Sequence, residues 1–161
     1  MKQIQYASFK QVNINDLMTL LNKQKIREHL IEHQLFDLES VNAWMKAKIT
    51  LDSIPGCKVR AIYADDTLAG WCAIQLEDGK YEIAIVLDHN FWGMGKRVFA
   101  EMIGWAQGFG HDEIYIHFLH TRPQYKFLRK VAKKVYETQL LGNTFTTYQL
   151  TVNSVIKLSY S

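Results

Sequence analysis

The sequence predicts an α/β (α+β) domain in which a mixed, mostly antiparallel twisted sheet of about seven strands is flanked by about four helices. Three observations predict it. Apolar segments between Lys58 and Leu87 are separated only by the tight turns Asp65-Asp66-Thr67 and Asp78-Gly79, so three consecutive strands must run antiparallel. The stretch Tyr81 to Ala106, YEIAIVLDHNFWGMGKRVFAEMIGWA, passes from a strand-like apolar run through Gly-x-Gly into a helix-period pattern. That helix ends near Gly108 to Gly110, and Glu113 to Leu119, EIYIHFL, reads as a fifth strand. Reached by a helical crossover, it lies parallel to the fourth.

In chain order, Ile4 to Phe9 forms a short strand, and Asn13 or Asn15 caps a helix carrying Leu17, Leu20 and Leu21. A second helical stretch carries Ile26, Leu30 and Ile31. Ser40 caps a further helix that turns Val41, Trp44, Met45 and Ile49 inward, and Pro55-Gly56 breaks the pattern. The strands KVRAIYAD, LAGWCAIQLE and YEIAIVLD follow. In the last of these Ile83, Ile85 and Leu87 alternate with Ala84 and Val86, two apolar sets that mark a strand buried on both faces. Beyond Gly93 and Gly95, Val98, Phe99, Met102, Ile103 and Ala106 share one helix face. Pro123 opens the last helix, QYKFLRKVAKK, and VYETQLL and FTTYQLTV flank Gly142-Asn143 as a closing hairpin. Residues 153–161 read as a C-terminal tail, and 1–161 as one domain.

Composition bounds the function. With 161 residues, 48% of them apolar and 22% charged, the chain has the make-up of an ordinary globular domain. A net charge of +3 admits an anionic partner but lacks the clustered basic face that nucleic-acid binding asks for. No run approaches a membrane span and MKQIQYASFKQ has no signal-peptide core, so a cytoplasmic location is the expectation. Cys57 and Cys72 lack metal or redox spacing and read as buried thiols. His29 and His33, four apart with no third ligand in view, read as surface residues, and no metal site is expected.

The Gly-x-Gly junction is the chemical feature. A helix start presents unpaired backbone N–H groups, and glycines keep side chains out of the approach, so an anion can rest there. Lys96 and Arg97 in the first turn oppose the helix dipole by about 0.3–1 kcal/mol each unless something negative is bound. The plain alternative is that both are solvated. A Walker loop fails because Gly95-Lys96 is followed by Arg97 and no glycine precedes at the required spacing. A dinucleotide fingerprint fails because Val98 stands where a third glycine belongs and the turn follows antiparallel strands.

This element order, with Asn90-Phe91-Trp92-Gly93-Met94-Gly95 at the fourth-strand turn, resembles the GNAT superfamily of N-acetyltransferases. The family's signature is Gln/Arg-x-x-Gly-x-Gly/Ala. Both glycines match, the first position is Asn, and the Phe-Trp-Gly-x-Gly form is similar to the ribosomal-protein N-terminal acetyltransferase-like subgroup. The resemblance spans about residues 4 to 152 in element order, with its motif support in residues 82 to 97.

The resemblance implies acetyl-CoA as cosubstrate. Its pantetheine arm would lie along Ile83, Ile85, Val86 and Leu87 of a fourth strand splayed from the fifth. Its pyrophosphate would sit on Asn90, Phe91, Trp92, Gly93, Met94, Gly95, Lys96 and Arg97, with Thr121 at the matching position after the fifth strand. The Ile85 N–H would hold the developing oxyanion. A protonated amine cannot attack, so a base is needed. Glu82 at the mouth of the fourth strand is the first candidate, against a solvated strand-end residue. His117 and His120, three apart on a strand, point to opposite faces, so at most one serves the cleft. The family's Asn-x-x-Ala/Ser and thiolate-protonating Tyr are replaced by Thr121, Gln124 and Leu128, and its Gly-Phe by Ala132-Lys133. Tyr125, about one turn from the expected acid, or water takes its place. The acceptor pocket falls at about residues 22–40 and 141–145; Trp71 and Tyr81 are candidate cleft aromatics or simply core.

The implied function is acetyl transfer from acetyl-CoA to a primary amine of a small molecule or protein, by a monomer or homodimer without nucleic-acid or membrane partners. The alternative is a catalytically impaired binding or interaction module of the same fold that still holds a CoA-type ligand.

Overall fold

The computed structural model describes residues 2–28, 34–122 and 125–159. The features expected at His29, Leu30, Ile31, His33, Pro123 and Gln124 lie outside these residues.

The chain opens with β1 (Ile4–Ala7) and a 3-10 turn at Phe9–Gln11, followed by α1 (Ile14–Leu21), α2 (Gln24–Arg27) and α3 (Leu38–Asp52). The strands β2 (Lys58–Ala64), β3 (Thr67–Glu77) and β4 (Lys80–Leu87) lead through a 3-10 turn at His89–Met94 into α4 (Gly95–Phe109). The remainder is β5 (Glu113–Leu119), α5 (Lys126–Val131), β6 (Ala132–Leu140), β7 (Asn143–Thr151) and α6 (Val152–Ser159). Among the described residues seven strands form one mixed sheet, as the sequence predicts, and only β4 and β5 pair in parallel; the strand order is β1-β2-β3-β4-β5-β7-β6. No helix among the described residues is long and apolar enough to cross a membrane.

Strand alternation sorts the core into two layers. Ile83 and Leu87 of β4 join Ile114, Ile116, Tyr148 and Leu150 beneath α4 and α6. Val86, with Ala84 against it, turns the other way and joins Val59, Ala61, Trp71 and Ala73 beneath α1 and α3. Leu17, Leu20 and Leu21 of α1 are each at most 4% exposed, and Val98, Met102 and Ala106 of α4 are fully buried, which is the amphipathic spacing read from the sequence.

The three two-residue hairpins share one device. Asp65 and Asp66, Asp78 and Gly79, and Leu141 and Gly142 all take positive φ, the geometry whose twist matches that of the flanking strands. Gly70 has a different reason to lack a side chain: a Cβ there would stand 2.0 Å from the Val86 carbonyl oxygen on β4.

Four local expectations are corrected. The cap of α3 is Asp37, whose Oδ1 accepts from the Ser40 N–H at 2.7 Å while Ser40 Oγ accepts from the Asp37 N–H, a capping box that holds the Asp37 carboxyl below its usual range. The helix expected over QYKFLRKVAKK stops at Val131, because Ala132 turns extended and its strand pairs with β7. The closing turn is Leu141-Gly142, with Asn143 already in β7. The expected tail is α6, anchored by buried Val152 and Val155, so the described residues hold six helices rather than about four.

Candidate active site

The site forms where β4 and β5 part. Their ladder has two rungs, Glu82↔Tyr115 and Ile83↔Ile116, and then ends. Which groups face the gap follows from the other edge of β4. The Asp88 N–H donates to the Ala69 carbonyl at 2.8 Å, so by alternation the even-numbered residues aim their backbone groups at β3 and Ile83, Ile85 and Leu87 aim theirs at β5. Past Ile83 there is no β5 rung to meet them. The Leu87 carbonyl is covered by the Trp92 indole, which donates to it at 3.0 Å, while the Ile85 N–H looks into the gap.

Against this gap lies a cavity of about 280 Å³ lined by Ile85 and Leu87, by Trp92, Gly93, Gly95, Lys96 and Phe99, by Ile116, Phe118 and Arg122, and by Tyr125, Phe127 and Leu128. Its walls are apolar, and two cations, Lys96 and Arg122, stand on it. A Cβ at Gly93 or Gly95 would meet nothing within 4 Å, so both glycines face open space. The turn itself is not the row of unpaired amides that the sequence suggests. It winds as a 3-10 helix into α4, and the Gly95 N–H already bonds the Trp92 carbonyl. The start of α4 carries no side-chain cap and no acidic residue in its first turn.

The predicted cofactor residues divide by position. Ile85, Leu87, Trp92, Gly93, Gly95 and Lys96 line the cavity. Ile83 and Met94 are buried in the core beside it, and Val86 faces the α1–α3 layer. Phe91 packs at the edge of the core under the Lys2 ammonium, at 4.4 Å. Arg97 reaches the Lys2 carbonyl at 3.0 Å and so ties α4 to the start of the chain. Asn90 and Thr121 are exposed and outside the cavity lining.

Sequence reasoning missed Arg122 and the Phe99, Phe118 and Phe127 wall. Arg122 donates to the Tyr125 hydroxyl at 2.8 Å and lies 4.6 Å from the Phe118 ring centre. The available signal was its place directly after β5, which the crossover sets opposite the Gly-x-Gly turn. Tyr125 is the cap residue of α5 rather than a residue inside it, and its ring packs on Phe118 at 4.8 Å. Leu128, at the position of the family's acid, is 5% exposed and part of the core.

On the opposite face of the sheet the gap is backed by side chains. Glu82 and His117 meet at 3.2 Å through Oε1 and Nε2, each about a quarter exposed or less. His117 Nδ1 lies 2.6 Å from Thr147 Oγ1, and Thr147 Oγ1 lies 2.7 Å from Thr138 Oγ1. His120 is set apart, its Nδ1 at 3.2 Å from the Thr144 carbonyl. Lys48 of α3 bonds Gln75, the cross-strand neighbour of Glu82, and burial pushes its ammonium below the usual range. Trp71 is buried under α3 with its ring 5.2 Å from Trp44, and Tyr81 packs on His111 at 3.9 Å; neither lines the cavity. Cys57 and Cys72 are buried and free, with their thiols pushed up by desolvation.

The helices that border this face are tied to the turn. Lys23, between α1 and α2, pairs with Asp88 at 2.5 Å, and the Asp88 side chain is only 8% exposed. A buried carboxylate next to an anion site would repel the ligand if it were unpaired.

No family model and no curated relative matches the chain in sequence. Solved structures match its fold over nearly its whole length. A spermidine N-acetyltransferase from Vibrio cholerae, in complex with CoA and spermine, superimposes with a TM-score of 0.74 at 11% identity, covering 96% of this chain and 98% of that one. An acetyl transferase from Salmonella typhimurium that modifies the N-terminal serine of a 50S ribosomal subunit protein gives 0.69 at 17% identity, covering 93% and 94%. An acetyltransferase of the GNAT family from Streptococcus pneumoniae gives 0.62 at 16% identity, covering 93% and 99%.

Proposed function

We propose that this chain, which has the GNAT fold, is an acetyl-CoA-dependent N-acetyltransferase acting on a primary amine of a small molecule or protein. The observation that carries the reading is the two-rung β4–β5 ladder, which leaves the Ile85 N–H facing a gap with a cavity on one side and Glu82–His117 on the other. The cavity suits the cosubstrate. Its narrow apolar body matches the pantetheine arm, and Lys96, Arg122 and the glycine-faced start of α4 suit phosphate.

Each residue has a role in the transfer. Glu82, bonded to His117, takes the proton from the acceptor ammonium on the outer face. The amine nitrogen then forms its bond to the thioester carbon while the Ile85 N–H donates to the developing oxyanion. As the oxyanion collapses and the carbon–sulfur bond breaks, the Tyr125 hydroxyl, or water, gives the thiolate its proton and is restored by the second proton that the attacking nitrogen sheds on becoming an amide. Arg122 occupies a lone pair of the Tyr125 oxygen and so leaves its O–H directed elsewhere in the cavity.

Thermal melting with and without acetyl-CoA, combined with thiol release across a panel of amines, tests the reading. Stabilisation and thiol release are expected for the native chain, and Gly95→Glu, whose side chain enters open space at the cavity, loses the stabilisation while keeping its own melting temperature. Absence of stabilisation in the native chain sinks the cosubstrate. Stabilisation without thiol release favours the binding-module alternative, for which the buried Leu128 at the family's acid position is the specific observation.

A further inference from the structure

The polar line behind the gap extends past Glu82 and His117 into residues to which the transfer assigns no role. Thr147 of β7 is fully buried, and its hydroxyl stands between His117 Nδ1 and the Thr138 hydroxyl of β6. A threonine in a sheet interior is unremarkable if its hydroxyl satisfies a local carbonyl. Here two side chains on two different strands share it.

With Glu82 as a carboxylate, the proton count along the line has one solution. A neutral imidazole carries one N–H and one acceptor nitrogen. If Glu82 is ionised, it can only accept, so Nε2 must hold the proton that lies between them. Nδ1 is then an acceptor, and the Thr147 O–H must donate to it. With its proton committed, Thr147 Oγ1 accepts from the Thr138 O–H. Reversing the line, with Nδ1–H donating to Thr147, leaves Nε2 as an acceptor and requires a protonated Glu82. A hydroxyl can donate or accept, so Thr147 follows the tautomer that Glu82 sets, and what it contributes is the bond that holds the ring.

We infer that Thr147 is a positioning residue that, through its bond to Nδ1, holds the His117 ring with Nε2 against Glu82, the base. This rests on the acetyltransferase reading for its functional consequence, but not for its structural content. The other ionisable groups on this face include Lys48 of α3, bonded to Gln75 beside Glu82, with Glu77 of β3 near it, Tyr115 on β5, Lys80 of β4 lying 5.1 Å from the Tyr115 ring, Lys134 and Tyr136 of β6, and the Glu113–Lys133 pair at the far end of the strands. None of them bonds His117 Nδ1, which belongs to Thr147.

The test reads the imidazole directly. Long-range nitrogen–proton spectra of the native chain at about pH 8, above the ordinary imidazole range, are expected to show His117 as the Nε2–H tautomer. Thr147→Val, close in shape and without the hydroxyl, is expected to free the His117 ring, read as averaged side-chain couplings, and to lower kcat about five- to ten-fold, the scale of one lost hydrogen bond, with KM for acetyl-CoA unchanged. Thr147→Ser restores both. An Nδ1–H tautomer in the native chain overturns the inference, as does a Thr147→Val variant with a native ring orientation and native kcat. A native chain with the Nε2–H tautomer but no transfer to any amine leaves the positioning intact and sinks the acetyltransferase reading alone.

Discussion

The two sides of the β4–β5 gap are made of different material. Beneath α4 and α5 the cavity offers backbone, glycine faces, apolar walls and two cations, and its outline depends on where strands and helices go rather than on which polar side chains they carry. On the outer face the same gap is backed by Glu82, His117, Thr147 and Thr138, one from each of four adjacent strands, where every member is a particular side chain at a particular rung. The first kind of site depends on the fold, which solved structures at 11–17% identity share. The second kind depends on four particular side chains.

Substitutions can separate the two sides or break both. Gly70→Ala has the largest expected effect, because its Cβ would collide with the Val86 carbonyl and push β4 off β3, removing the frame that both sides share. A loss of about 3 kcal/mol or more in a denaturant titration is expected, and near-native stability would show that the strands adjust freely. Glu82→Gln acts on the outer face alone. It should lower kcat about 100-fold while leaving the acetyl-CoA melting shift intact, and loss of that shift would mean the two sides are not separable. Arg122→Met acts on the cavity alone and should weaken CoA about ten-fold, with a shallower dependence on salt, as measured by calorimetry. Leu141→Asn touches neither. It relieves a left-handed leucine at an exposed hairpin tip, 77% exposed, and should raise stability by about 0.5–1 kcal/mol with unchanged kinetics.

The same division explains what could be read from the sequence. The Ile83–Leu87 alternation, the glycines and the α4 spacing are local periodicities, and they gave β4, the turn and the crossover correctly, because burial on both faces and a helix stripe are written in consecutive residues. Glu82 was legible as a strand-end carboxylate and His117 as one of two alternates, but nothing local says that they meet, since register between β4 and β5 is set by a crossover. Thr147 was invisible: in FTTYQLTV a threonine reads as strand propensity. Ala132 to Lys134 are misread as helix for the opposite reason. KFLRKVAKK favours a helix on intrinsic propensity, yet Ala132 and Lys134 are drawn into the edge strand by pairing with β7, a tertiary preference that overrides it. Arg97 was assigned to an anion because charge and helix start are local, whereas the Lys2 carbonyl that it bonds is 95 residues away in sequence.

The two rungs that join β4 to β5 have a mechanical consequence. The sheet is two antiparallel plates, β1 to β4 and β5-β7-β6, each joined internally by ladders of four or more residue pairs, meeting at a seam only two residue pairs wide. Such a seam acts as a pivot: the plates can rotate about Glu82↔Tyr115 and Ile83↔Ile116 without stretching a ladder bond inside either one. The width of the gap is then set by what fills it and by the packing of α4 across it, so the jaw can follow the shape of its contents at little cost in hydrogen bonds.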